Sequence, residues 1–132
     1  MISAIEDAFA SRISGVWTGD IAWDGRPYSP SPDTPYLAVG LVAHSRRTLG
    51  AGANAIREWS GAWQASVVMP ASAGLRPARD AAWEIAGHYR RGTPFPSLTG
   101  LQITNADIRP AYADTDFVRI PVVVEWFMME VG

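Results

Sequence analysis

The sequence of 132 residues contains no cysteine and no lysine, and all eleven of its basic residues are arginine. Without cysteine the chain can build no disulfide, thiol nucleophile, iron–sulfur cluster or cysteine zinc site. Without lysine it has no Walker A lysine, no Schiff-base anchor and no lysine general base. Two histidines are too few for a three-histidine metal site. These absences exclude reaction types but do not by themselves indicate a function.

Charge and hydrophobicity exclude two further classes of partner. The formal net charge of −2 argues against a general nucleic-acid-binding protein, which needs an excess of positive charge to neutralise phosphates. No run of apolar residues approaches the length of a membrane-spanning helix, and the acidic first residues do not resemble a signal peptide. We therefore expect a protein that is made and used in the cytoplasm, binds no specific nucleic acid and no membrane, and forms a single domain over residues 1–132.

Hydrophobic periodicity predicts two helices and four strands. Apolar residues recur at three- and four-residue steps in each predicted helix, whereas the predicted strands either alternate or are apolar throughout. The predicted helices cover residues 2–16 and 75–91, and the predicted strands cover residues 36–43, 57–69, 98–108 and 117–129. Four prolines between residues 19 and 35 predict an extended connector. The predicted order is therefore α-β-β-α-β-β.

Two regions of the predicted sheet carry further information. The strands 36–43 and 57–69 flank a polar, glycine-rich segment, residues 44–54, and so predict an extended hairpin with a flexible tip. The strand 117–129 is apolar at nearly every position and must be covered on both faces, either by helices or by another subunit. We predict an α+β fold with helices packed on a mixed or antiparallel sheet.

Several short motifs suggest binding sites but lack the surroundings that such sites need. Residues 50–55, GAGANA, fit a loose dinucleotide fingerprint, yet a strand rather than a helix follows them, so we favour a hairpin tip. Asp80, Glu84 and His88 share one helix face, but the outer two are about 12 Å apart along the axis, too far for one metal ion. Asp114 and Asp116 are typical of a hairpin turn whose side chains bond the local backbone.

Taken in order along the chain, several segments resemble those of a known family. An amphipathic helix precedes a tryptophan–proline connector, IAWDGRPYSPSPDTPYLAVGLV, and a glycine-containing hairpin then leads to WSGAWQASVVMPASAG, a strand that ends in proline and a small-residue turn. The second helix ends in HYRRGTPF, and the closing strand is FVRIPVVVEWF. This arrangement covers nearly the whole chain and resembles the tail terminator (tail completion) proteins of long-tailed bacteriophages, prophages and gene transfer agents.

The resemblance implies a structural virion protein and not an enzyme. Proteins of this kind assemble as a hexameric ring on the head-proximal end of the tail tube, where they stop tube polymerisation and present a surface to the head. The implied partners are further copies of the chain, the tail tube protein and the head–tail connector or neck protein. The implied location is the virion, after assembly in the host cytoplasm. The resemblance implies no catalytic residue, metal ligand or cofactor.

We expect arginines and a tryptophan at the subunit or tube contacts, because arginine forms multidentate ion pairs and tryptophan is enriched in interface hot spots. The predicted contact residues are Arg46, Arg47, Arg57, Arg90, Arg91 and Trp126. Two alternative functions stay open. A head–tail joining (neck) adaptor shares the size and the ring symmetry, and a small α+β ligand-binding domain or enzyme would hold a pocket between helix and sheet.

Overall fold

A computed structural model describes residues 1–52 and 55–131, and within them the chain forms two α-helices and six β-strands. The helices are α1 (Ile2–Val16) and α2 (Leu75–His88). The strands are β1 (Asp20–Trp23), β2 (Tyr36–Leu49), β3 (Ile56–Pro70), β4 (Gln102–Ile108), β5 (Tyr112–Asp114) and β6 (Phe117–Val131). All six predicted elements are present, and β1 and β5 are additional.

The strands form one mixed sheet in the order β1-β2-β3-β6-β4, and β5 pairs with β6 as well. β1 lies parallel to β2, whereas the other described pairs are antiparallel. The predicted α+β fold is confirmed. The sequence pattern misses β1 because this strand has only four residues and is followed by the proline-rich connector. It misses β5 because a strand of three residues is too short to show an alternation.

Both helices pack on the same face of the sheet, and an aromatic cluster joins them to it. Phe9 of α1 stacks on Trp63 of β3, with 5.0 Å between the ring centroids. Tyr89 and Phe95, which follow α2, complete the cluster, and their ring centroids lie 5.8 Å and 5.0 Å from that of Phe9. All four rings are buried. The core is therefore a helix–sheet interface that is centred on stacked aromatic side chains.

Arg12 and Tyr89 tie the two helices together through polar contacts. The guanidinium of Arg12 donates hydrogen bonds to the carbonyl oxygens of His88 and Pro94 and lies 4.0 Å from the ring centroid of Phe95. Since His88 is the last residue of α2, this cation lies at the negative end of the helix dipole. In the opposite direction, the hydroxyl of Tyr89 donates a hydrogen bond of 3.1 Å to the carbonyl oxygen of Phe9.

Burial of the Tyr89 phenol has a consequence for stability at high pH. Desolvation raises the pKa of Tyr89 above its usual value of about 10, and the nearby Arg12 opposes this rise only in part. Above pH 10 the unfolded chain therefore ionises at this position while the folded chain does not, so stability falls as the pH rises.

We expect Tyr89→Phe to be less stable than the wild type by about 1 kcal/mol at pH 7, because it loses the hydrogen bond to Phe9. The difference in stability between the two proteins should shrink as the pH rises above about 10. There the unfolded wild type is stabilised by ionisation of Tyr89, whereas the unfolded variant has no phenol to ionise at this position. Urea unfolding at pH 7 and between pH 10 and 11 measures both effects, and the other three tyrosines are common to both proteins. A constant difference across this pH range would contradict the prediction.

The predicted hairpin is longer than its sequence indicates. β2 continues to Leu49 and pairs with β3 down to Leu49 opposite Ile56, so most of the segment predicted as a flexible tip is strand. β6 runs along β3 to the same level, where Ile56 pairs with Val131. We call this three-stranded extension the arm, residues 44–49, 56–60 and 127–131. Ala53 and Asn54, which belong to the GAGANA segment that loosely fits a dinucleotide fingerprint, lie outside the described residues.

The uniformly apolar β6 has two different environments. Its even-numbered residues from Ile120 to Met128 are buried beneath the helices. On the opposite face Val123 and Phe127 are half-buried and Met129 is exposed. The helices therefore cover one face of β6, and the second face of this strand stays partly open.

Trp126, one of the predicted contact residues, is buried within the subunit. It is 2% exposed and belongs to the core, because the alternation of β6 points its side chain toward the helices. Within the described part of the chain, its indole Nε1 has no hydrogen-bond partner. The subunit surface therefore does not present Trp126, and its role at a subunit contact stays a prediction.

Candidate interaction surfaces

Three of the predicted contact residues lie together on the arm, although not on the same face. Arg46 is opposite Trp59 in the register of β2 and β3, and its guanidinium carbon is 5.7 Å from the centroid of that ring. Arg47 points to the other face, where its Nη2 lies 3.3 Å from Glu58 Oε1. Arg57 lies on the same face as Trp59. The arm therefore presents a cation on each of its two faces.

Arg57 is anchored more firmly than the other two arginines. Its Nη1 lies 3.3 Å from Glu130 Oε1 of β6, and Trp59 Nε1 donates a hydrogen bond of 3.4 Å to the same carboxylate oxygen. These contacts join β3 to β6 within the arm. Arg57 thus contributes to the arm's internal structure, whereas Arg46 and Arg47 are more exposed.

The second predicted pair, Arg90 and Arg91, lies at the end of α2 on a different surface. Both side chains are exposed, and they line a groove between α2 and the edge strand β4. Trp83 of α2 stands beside them and is 72% exposed. A second groove begins on the other side of Trp83 and includes Arg79 and Arg109. We call this region the Trp83 surface: Arg79, Trp83, Arg90, Arg91 and Arg109.

Trp83 is a candidate contact residue that the sequence prediction missed. Tryptophan is rarely so exposed, because a large indole ring in water forgoes the free energy of burial. One signal was present in the sequence: the apolar stripe of α2 runs through Ala78, Ala82 and Ile85, and Trp83 lies outside it. A tryptophan outside the buried stripe of an amphipathic helix indicates an interaction surface.

A third surface lies at the opposite edge of the sheet, between α1 and β1. Glu6 and Asp7 of α1 and Asp24, which follows β1, surround a pocket whose apolar lining includes Trp23 and Leu41. The three acidic side chains are exposed. The pocket also contains Arg26, so its net charge is negative. We call it the acidic pocket.

Glycine at position 40 gives the acidic pocket its shape. The backbone N–H of Asp24 donates a hydrogen bond of 3.0 Å to the carbonyl oxygen of Val39, which holds Asp24 against β2. A Cβ atom at Gly40 would lie 2.7 Å from the Cβ of Asp24. Only glycine therefore leaves room for the Asp24 side chain at this place.

The acidic motifs of the sequence have structural roles. Asp114 and Asp116 flank the β5–β6 turn, as predicted, and Thr115 between them has a positive φ of 48°. The Asp114 carboxylate pairs with Arg119 Nε at 2.8 Å instead of bonding the local backbone.

In the part of the chain that the structure describes, no group of three or more His, Asp or Glu residues is arranged to hold a metal ion. No helix there is long and apolar enough to cross a membrane.

Two solved structures share the fold of this chain. One is a protein without a stated function, 19% identical, with 97% of this chain and 95% of that chain covered and a TM-score of 0.69. The other is a chain from the virion of a native gene transfer agent particle, 17% identical, with 92% and 84% covered and a TM-score of 0.51.

The sequence comparisons give the family. No curated protein sequence matches this chain. The family model described as phage tail terminator protein matches residues 4–126, which is nearly the whole chain and includes all but the first two residues of α1, the whole of α2, five complete strands and most of β6. The protein therefore belongs to the phage tail terminator protein family.

Proposed function

We propose that this chain acts as one domain that assembles into a ring, with six copies, on the head-proximal end of a phage tail tube. The ring ends tube polymerisation and provides the surface to which the head attaches. The observation that carries the proposal is the family match over residues 4–126. The fold that the chain shares with a component of a gene transfer agent virion supports a location in the particle. The role is structural and needs no catalytic group.

The structure supports this role through the kind of surfaces that it offers. A closed ring requires two different complementary surfaces on each subunit, because its interfaces are heterologous. The chain has a basic surface with an exposed tryptophan at one edge of the sheet and an acidic pocket at the other. The arm offers a third surface to the tube or to the connector.

Removal of the gene from the phage or gene transfer agent that encodes the chain tests the function. We expect electron micrographs of the lysate to show tails of abnormal length and heads without tails, and a plasmid copy of the gene should restore normal particles. A head–tail joining adaptor would instead give tails of normal length that fail to attach. Normal particles, or tails of normal length, would overturn the proposal.

The arm supplies a separate prediction. We expect the double variant Arg46→Glu, Arg47→Glu to give abnormally long or headless tails in the complemented particle system, because it reverses the charge on both faces of the arm. The new acid at position 47 lies opposite Glu58, and this repulsion should cost less than about 1 kcal/mol at an exposed site. Far-ultraviolet circular dichroism should therefore show an intact fold.

The matched control is Arg46→Lys, Arg47→Lys, which keeps the positive charges. We expect this variant to support tails of normal length with heads attached. If the glutamate variant also gives normal particles, the arm makes no essential contact. If the lysine variant fails as well, the contact depends on guanidinium geometry and not on charge alone.

A further inference from the structure

The Trp83 surface and the acidic pocket differ in charge. In the described part of the chain, the two grooves beside Trp83 are lined by Arg79, Arg90, Arg91 and Arg109 and by no acidic residue. The acidic pocket contains three acids and one arginine. The two grooves beside Trp83 are therefore lined by positive charge and the pocket mainly by negative charge, while the acids Asp80 and Glu84 lie exposed on α2 near Trp83.

The charges on both surfaces are available to a partner. Among the described residues, Arg79, Arg90 and Arg91 form no ion pair, and neither do Glu6, Asp7 and Asp24. Arg109 pairs with Asp107 at 3.4 Å, but both side chains are about half exposed. Fixed charges that remain unpaired within a subunit can form ion pairs across an interface.

The two surfaces lie at opposite edges of the same sheet. α1 and β1 form the edge that carries the acidic pocket, and α2 and β4 form the edge that carries the Trp83 surface. Across the five strands of the path β1-β2-β3-β6-β4, the two edges are separated by about 19 Å, at about 4.8 Å for each strand spacing. Surfaces at opposite edges of a subunit are placed so that they can meet between two neighbouring copies.

The apolar parts of the two surfaces match as well. Trp83 projects from α2 with 72% of its area exposed, and the acidic pocket has tryptophan and leucine in its lining. A projecting tryptophan that fills an apolar pocket and is surrounded by ion pairs is the usual arrangement of an interface hot spot. The Trp83 surface and the acidic pocket are therefore complementary in charge and in their apolar parts, as a head-to-tail contact between two copies requires.

We propose that Trp83 of one copy of this chain inserts into the acidic pocket of the next copy, with arginines of the Trp83 surface facing Glu6, Asp7 and Asp24. The inference rests on the proposed ring and adds to it the two surfaces that join neighbouring subunits. A head-to-tail contact of this kind generates a closed ring when its rotation closes.

Chemical cross-linking tests the contact, because a chain without cysteine allows thiols to be placed at will. The test variant is Gly87→Cys, which lies one turn from Trp83 in the groove beside it and leaves Trp83 in place, with Ala10→Cys, a residue of α1 that lines the acidic pocket. The matched control is Gly87→Cys with Ala4→Cys, which is exposed on the same helix outside the pocket. A cross-link within one subunit leaves a product with the mass of one chain, so every larger covalent product joins two or more copies.

We expect the test variant, in purified particles, to give a ladder of covalent dimers, trimers and larger species, whereas the control variant gives few dimers. Particles that contain the test variant but show no ladder would overturn the inference while the proposed function stands. So would equal ladders from the test and control variants. If the purified chain gives the ladder but is absent from tails, the contact stands and the proposed function fails. The absence of both a ladder and the chain from tails would overturn both.

Charge reversal provides a second measurement that does not depend on cysteine chemistry. We expect Arg79→Glu with Arg90→Glu, and separately Glu6→Arg with Asp7→Arg, each to weaken the contact about tenfold or more and so to reduce the yield of complete particles. Combining all four substitutions in one chain restores opposite charges across the contact and should recover much of the yield. A combined variant no better than either double variant would show that these charges do not face each other.

Discussion

Phe9→Ala is expected to lower the free energy of unfolding by about 3–5 kcal/mol, the usual cost of deleting a fully buried aromatic ring. Phe9 is 0% exposed and contacts three other aromatic rings, those of Trp63, Tyr89 and Phe95. Loss of its ring would leave a cavity between α1, the sheet and the segment after α2. Since domains of this size are stable by only about 5–15 kcal/mol, such a loss removes a large part of the total. Urea unfolding at neutral pH measures it.

Trp83→Ala is the control for this prediction. The substitution removes a larger ring, but the ring is on the surface, so we expect the free energy of unfolding to change by less than about 0.5 kcal/mol. The pair of variants thus separates the aromatic residue that stabilises the fold from the one assigned to a contact between copies. Equal losses of stability would show that Trp83 packs within the subunit.

Gly61→Ala is expected to destabilise the protein by about 3 kcal/mol, although it adds only one methyl group. A Cβ atom at this position would lie 2.1 Å from the carbonyl oxygen of Ala43 and 2.9 Å from Cζ2 of Trp126. The pairing of β2 with β3 shifts register between Leu41 and Ala43, and this irregularity brings the backbone of β2 close to Gly61. The obstacle is backbone, which cannot rotate away as a flexible side chain would.

Gly15→Ala is the matched control, because this glycine lies in α1 and has no atom within 4 Å of an added Cβ. We expect it to be neutral or to stabilise the protein by about 0.5–1 kcal/mol, the usual preference for alanine over glycine within a helix. Thermal unfolding of both variants gives the comparison. If Gly61→Ala is as stable as Gly15→Ala, the two strands do not approach as closely as described.

The sequence predicts an element well when the spacing of its apolar residues matches the face that the folded element buries. The pattern predicts the start of α2 and places its end within three residues, because Ala78, Ala82 and Ile85 recur on one helical face. Strand β3 was predicted because its tryptophans alternate with small and polar residues. The arm was underestimated because polar strand residues such as Arg46 and Thr48 resemble a loop when their pairing partners are not known.

Which side chains the surface presents is harder to predict than the elements themselves, as the burial of Trp126 and the exposure of Trp83 show. In β6 nearly every position is apolar, so the alternation that would have placed Trp126 in the core is invisible in the sequence. Trp83 lay outside an apolar stripe that was visible, and the sequence therefore contained the signal for its exposure. The acidic pocket could not be predicted, because Glu6 and Asp24 come together only through the packing of α1 beside the unpredicted β1.

The order of the strands has a consequence for how the protein is made. Among the described strands β6 is made after the others, yet it lies between β3 and β4 in the sheet. Of these strands, β4 and β5 pair with β6 alone, so they emerge from the ribosome before their partner exists. Until then the apolar side of α2 also lacks the part of its covering that β6 supplies, and an unfinished chain exposes surfaces that promote aggregation. Completion of the sheet therefore waits for the synthesis of β6.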